Sequence, residues 1–272
     1  MRQVVCRLAA IAALSVGASM TFAEGARVSK TDAPSGLESV ALDWIQVDTP
    51  ANGTLLAAIS LPKGHGPFPA VLIVHGSHGF AREYLHLARE ISTQGFIAIA
   101  ACWFRGGIAD GGDVSEPIDC PGARPIPMGP SDQARATLAD LVDAARQLPD
   151  VRTDRIAIFG HSRGAGATVN YLEHGGDVRA AVLNSSGYAD EYITNVTRIQ
   201  ARVLVLHGRQ DTNSDLTRIE RAEQFGAAMR AARIPVETHF YPAGVHRGIF
   251  VDHAQHDDEV RRIVKFLRKE LR

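Results

Sequence analysis

Ser162 sits in Gly160-His161-Ser162-Arg163-Gly164, directly after the apolar run Ile156 to Phe159 and before the small, helix-compatible residues Ala165 to Ala167. A serine at such a strand-to-helix turn stands clear of its neighbours, and flanking glycines let backbone pass close by without Cβ clashes. A helix starting there aims unpaired N–H groups and the positive end of its dipole at the serine, which suits a developing oxyanion. The pentapeptide alone is also compatible with an ordinary glycine-rich turn, so the partners of a nucleophile have to be found elsewhere in the chain.

A serine hydroxyl is weakly nucleophilic and needs a base, and the base needs an acid to orient it. In an open α/β sheet both belong just after the carboxyl ends of strands, where the crevice forms. Asp211 follows the apolar run Val203 to Leu206 through His207-Gly208-Arg209-Gln210, and His246 follows Val236 to Tyr241 through Pro242-Ala243-Gly244-Val245. Asp215 is a rival acid one turn further on. Two backbone donors complete an oxyanion hole: the N–H of Arg163, and the N–H of Ser77 in His75-Gly76-Ser77-His78-Gly79. His253, His256, Asp257 and Asp258 could be imagined as a metal cluster, but they read as the solvated start of a helix. No metal and no organic cofactor is expected.

The elements that must position these groups alternate. Val40 to Val47 and Thr54 to Leu61, separated by Asp48-Thr49-Pro50-Ala51-Asn52-Gly53, predict a β-hairpin. Ala70 to Val74, Phe96 to Ala101, Arg155 to Phe159, Ala180 to Leu183, Val203 to Leu206 and Val236 to Tyr241 predict further strands. The helical stretches between and after them are Phe80 to Thr93, Ser131 to Leu148 with Ser131-Asp132 as cap, Ala165 to Glu173, Thr217 to Ala232 and His256 to Leu271. Such alternation implies a mostly parallel, twisted sheet with helices on both faces. Residues 103–130 form a long stretch rich in glycine and proline, of the kind that is often functional.

The chain of 272 residues carries 45% hydrophobic and 22% charged residues with a formal net charge of −1, which fits one domain over 38–272 and gives no footprint for nucleic acid or a membrane. Residues 1–23 read as a cleaved signal peptide: Arg2 and Arg7, an apolar run from Leu8 to Val16, then small residues to Ala23. Residues 24–37 read as a flexible lead-in. The product is expected to be periplasmic or secreted, of undetermined oligomeric state. Cleavage removes Cys6 and leaves Cys102 and Cys120 in an oxidising compartment, where a disulfide between them is expected.

Together, the motifs around Ser162, Ser77, Asp211 and His246, in that joint arrangement, resemble the α/β-hydrolase fold, and most closely its dienelactone-hydrolase-like branch. The resemblance runs from Val40 to the C-terminus. It implies cleavage of small-molecule carboxylic esters through an acyl-enzyme on Ser162, with His246 as base and Asp211 as its orienting acid. It also implies that Arg105, just after the strand ending at Ala101, holds a substrate carboxylate. His78, His161 and Trp103 border these motifs and complete the candidate substrate-binding set. Three departures stand out. The branch uses a cysteine nucleophile where this chain has Ser162, a second arginine where it has Phe250, and a glutamate where it has Gly76. The same triad could serve a thioesterase, an acyltransferase or a peptidase, and the fold could also serve as a binding module. A nucleotide-binding Rossmann protein would want Gly-x-Gly-x-x-Gly after the first parallel strand, which the chain lacks there.

Overall fold

The computed structural model describes residues 25–106 and 116–272. The expected signal peptide lies outside them, as does the segment 107–115. In chain order the elements are β1 (Arg27–Thr31), β2 (Asp43–Thr49), β3 (Gly53–Ser60), β4 (Phe68–Val74), α1 (Arg82–Ser92), β5 (Ile97–Ala101), α2 (Asp132–Gln147) and β6 (Val151–His161). They continue with α3 (Arg163–Glu173), β7 (Ala180–Asn184), α4 (Asp190–Thr194), β8 (Arg202–Gly208), α5 (Ile219–Ala231), β9 (Val236–Tyr241), α6 (Gly248–Val251) and α7 (His253–Glu270).

All nine strands form one sheet, ordered β1-β2-β3-β5-β4-β6-β7-β8-β9. β4 to β9 pair in parallel, and the expected hairpin β2–β3 joins them through an antiparallel β3–β5 ladder. Strands β5 and β7 are buried along their whole length, as are the last five residues of β4 and the last six of β6, which explains why they read as continuous apolar runs.

Strand order reverses at β4. The chain steps from β4 to β5 on one side, then crosses back to β6 on the other and continues outward to β9. Right-handed crossovers therefore put α1 on one face and α2, α3 and α5 on the opposite one. Packing agrees, with α1 against α7 and α2 against α3. The loops leaving β4 and β6 diverge at this reversal, and a crevice opens between their carboxyl ends.

Three local expectations change. Residues 27–31, expected within the flexible lead-in, form β1 and pair with the otherwise open edge of β2, with Ala26 and Leu37 buried on either side. Its alternation is too polar to read as a strand, but an open ladder supplies the hydrogen bonds. Helix α7 begins at His253, earlier than His256, because Asp252 caps it by accepting the N–H groups of Ala254 and Gln255. Strand β6 starts at Val151, earlier than Arg155, because the polar and charged residues 152–155 hide its first half from a reading that follows apolar runs. The predicted Ser131 cap is present, its Oγ accepting the N–H of Ala134 at 3.2 Å.

Candidate active site

Strand β6 delivers Ser162 to the crevice in a backbone conformation that L-residues rarely adopt, φ 52° and ψ −115°. The surroundings hold it there: its N–H donates to Asn184 O at the end of β7 (2.8 Å), and its carbonyl accepts the N–H of Gly166 (3.1 Å). Such a conformation costs of order 1–3 kcal/mol, and it lifts the side chain off the sheet. The turn also brings α3 against β4. A Cβ on Gly164 would collide with the carbonyl oxygen of Val74 and lie 2.7 Å from that of His75, so only glycine lets the helix start this close.

The side chains of Ser162, His246 and Asp211 meet. His246 Nε2 is 2.8 Å from Ser162 Oγ, and His246 Nδ1 is 2.7 Å from Asp211 Oδ2. In the neutral imidazole, Nδ1–H donates to the carboxylate and Nε2 accepts the serine proton. Asp211 is buried, and its other oxygen accepts the N–H of Asn213 at 3.1 Å. The loop carrying it is pinned by buried His207, whose Nε2–H donates to Thr217 O at 2.6 Å; burial holds this imidazole below its usual range, in the neutral form. Asp215, the rival acid, points into solvent and pairs with Arg218.

The loop after β4 is equally fixed. Trp103 Nε1–H donates to His75 O at 2.9 Å, and Tyr84 Oη accepts the N–H of Gly76 at 2.9 Å. His75 is buried among Phe80, Tyr84, Trp103 and Phe104, and that burial pushes its pKa down to about 3. Ser77 comes next and lines a cavity together with Ser162 and Arg163. At Gly76, where the resemblance expects glutamate, a side chain would be tight: a Cβ there would be 3.0 Å from His161 Nδ1 and 3.1 Å from Ser162 Cβ, so these neighbours would have to give way by a few tenths of an ångström.

Of the four candidate substrate-binding residues, only Trp103 borders the cavity at Ser162. Arg105 lines a separate cavity beside Cys102 and Cys120 and faces Asp119 at 3.7 Å. It is not among the residues lining the cavity at Ser162. His78 lines that second cavity too, with Nε2 2.9 Å from Glu83 Oε1 and 3.0 Å from Tyr84 Oη. His161 is fully buried, between Tyr84 Oη (2.9 Å) and the carbonyl of His246 (3.3 Å). Its pKa is lowered, first by burial and then by the neighbouring His246 and His78.

Sequence reasoning missed Tyr84, Glu83 and Arg247. Tyr84 reads as one more apolar position of an amphipathic helix, yet its hydroxyl joins three groups around the site. Glu83 accepts from His78 and from Arg247. Phe250, at the second arginine's expected position, packs edge-on against His161 and Tyr84.

His256 contacts Ile249 O and Glu90, and Asp258 contacts Tyr241, Arg261 and Arg262, so both serve packing between elements. The sulfurs of Cys102 and Cys120 are paired, with Cα atoms 6.5 Å apart. Among the described residues no helix is long and apolar enough to cross a membrane.

The sequence profile of the dienelactone hydrolase family matches residues 55–268. A protein provisionally named carboxymethylenebutenolidase from Yersinia pestis is 28% identical over 229 residues, 79% of this chain and 82% of its own. Among solved structures, one provisionally named dienelactone hydrolase from Klebsiella pneumoniae superposes with a TM-score of 0.65 at 21% identity, covering 90% of this chain and 99% of that one. The Pyrococcus furiosus esterase Pf2001 reaches a TM-score of 0.66 at 15% identity, covering 90% of this chain and 99% of its own.

Proposed function

The chain belongs to the dienelactone hydrolase family, and from that premise we propose that it is a serine hydrolase that cleaves carboxylic esters of small molecules, acting after export to the periplasm or beyond. The observation that carries this reading is the unbroken hydrogen-bonded line from Ser162 Oγ through His246 to Asp211, at 2.8 and 2.7 Å.

In this mechanism His246 Nε2 takes the proton of Ser162 as Oγ attacks the ester carbonyl carbon. The N–H groups of Ser77 and Arg163 hold the resulting oxyanion, and Asp211 stabilises the imidazolium. The intermediate collapses by breaking its bond to the alkoxide, which leaves as the alcohol with the proton from His246. Water, deprotonated by His246, then attacks the acyl-enzyme; its carbonyl–Oγ bond breaks, and the proton returns to Ser162. The helix dipole of α3 favours the negative charge at each tetrahedral stage.

A fluorophosphonate probe should label the wild-type protein once and Ser162→Ala not at all. The same variant should lose turnover of short p-nitrophenyl esters by at least about a thousandfold, or roughly 4 kcal/mol of barrier. Wild-type rates in a correctly folded Ser162→Ala would overturn the assignment. Export rests on the pattern of residues 1–23; N-terminal sequencing of protein recovered from a bacterial periplasm should begin at Glu24.

A further inference from the structure

The cavity at Ser162 has a volume of about 230 Å³, below the roughly 300–1,000 Å³ typical of sites for drug-sized ligands. Its walls are mainly apolar, with Trp103, Met128, Pro130, Tyr192 and Leu216 among them. Asn213, Ser214 and Thr217 add neutral polar groups. Among the described residues lining it, Arg163 is the one charged side chain.

That arginine is already engaged. Its Nη2 donates to the carbonyls of Ile126 and Pro127, and its guanidinium lies 4.0 Å from the centre of the Phe104 ring. It works as a clasp that ties the 126–130 wall to the start of α3. The other cations near the site are turned elsewhere: Arg105 to Asp119 in the separate cavity, and Arg247 to Glu83. Phe250 presents a ring to His161 where the family resemblance puts an arginine. A substrate carboxylate entering this cavity would lose its water without gaining a fork of donors, which is costly.

Building on the ester-hydrolase reading, we infer that the site takes small, uncharged esters with short aliphatic acyl groups and discriminates against esters that carry a carboxylate. The apolar walls favour each added methylene until the cavity is full.

The experiment compares p-nitrophenyl valerate with p-nitrophenyl hemiglutarate, which match in length and differ in the terminal carboxylate, and adds the acetate, butyrate and dodecanoate esters. The expected kcat/KM for valerate exceeds that for hemiglutarate by about 100-fold or more, with a maximum between butyrate and valerate. In Leu216→Arg, which places a cation on the wall, the ratio should narrow at least tenfold. Equal or better turnover of hemiglutarate, or a maximum at dodecanoate, would overturn the inference. Fluorophosphonate titration of the same preparation separates the two levels. Full labelling with the wrong preference sinks the substrate class alone, and absence of labelling together with absence of turnover sinks the hydrolase reading beneath it.

Discussion

The hydroxyl of Tyr84 accepts the N–H of Gly76 at 2.9 Å and so fixes the loop that presents Ser77 to the crevice. The same oxygen lies 2.9 Å from His161 Nδ1, and His161 Nε2 is 3.3 Å from the carbonyl of His246. With one proton to give, Tyr84 donates to His161 Nδ1, which leaves Nε2–H to donate to His246. One buried phenol thus ties the proposed oxyanion loop to the segment carrying the proposed base.

Tyr84→Phe keeps the ring contacts with Phe250 and removes only that oxygen. It leaves the Gly76 N–H and His161 Nδ1 unpaired in the interior, at a cost of about 1–3 kcal/mol each at most. We expect kcat to fall about tenfold or more with KM nearly unchanged, alongside a lower denaturation midpoint. A fall in stability with kcat intact would reduce Tyr84 to a packing residue.

Much of this arrangement was legible in the sequence for a physical reason. Buried parallel strands leave continuous apolar runs, and the residues that follow them, Ser162, Asp211 and His246, are placed by the strand ends alone. Side-chain direction is not encoded that way. Arg105 stands at the right point in the chain, but its direction depends on how the backbone turns after Phe104 and on Asp119, fourteen residues later. Tyr84 was hidden because a helix buries a tyrosine ring by the same periodicity as a leucine. Strand β1 was hidden because an edge strand is specified by its neighbour's open hydrogen bonds as much as by its own residues.

Gly164→Ala tests the close approach of α3 to β4. The added methyl would meet the Val74 carbonyl oxygen, which is backbone and cannot swing away. Either the helix start or the β4 end has to move, and overpacking of this kind costs typically about 1–3 kcal/mol. Thermal unfolding should show a lowered midpoint, and fluorophosphonate labelling of Ser162 should slow. An unchanged labelling rate would show that the elbow tolerates a looser helix start.

Glu259, on α7, is 1% exposed, and its two oxygens face the amides of Asn184 and Gln255. Burial pushes its pKa up from the usual 4.5 to about 7. Between those values the folded protein keeps a proton that the unfolded chain has released, so its contribution to stability falls as pH rises through the window. A protonated Glu259 can donate to Asn184 Oδ1, which has no other partner, after a half-turn of the amide. Glu259→Gln supplies the same donor without the titration. Denaturation midpoints should therefore show the variant gaining on wild type as pH rises from about 4.5 to about 7, then holding level. A difference that stays constant across the window would place the burden of Glu259 elsewhere.

The Cys102–Cys120 pair closes a loop over 18 positions, and the chain that follows it runs into Ile126 and Pro127, the two carbonyls held by Arg163. Cross-linking a loop of this length lowers the entropy of the unfolded chain by about 3 kcal/mol in free-energy terms. The oxidised protein should present no free thiol, and the double change Cys102→Ser with Cys120→Ser should lower stability by about 2–4 kcal/mol. Because Met128 and Pro130 form one wall of the cavity, that variant should also flatten the dependence of kcat/KM on acyl length while labelling of Ser162 persists. Two free thiols in protein purified from an oxidising compartment, or an acyl-length profile untouched by the double change, would separate this cysteine pair from the shape of the site.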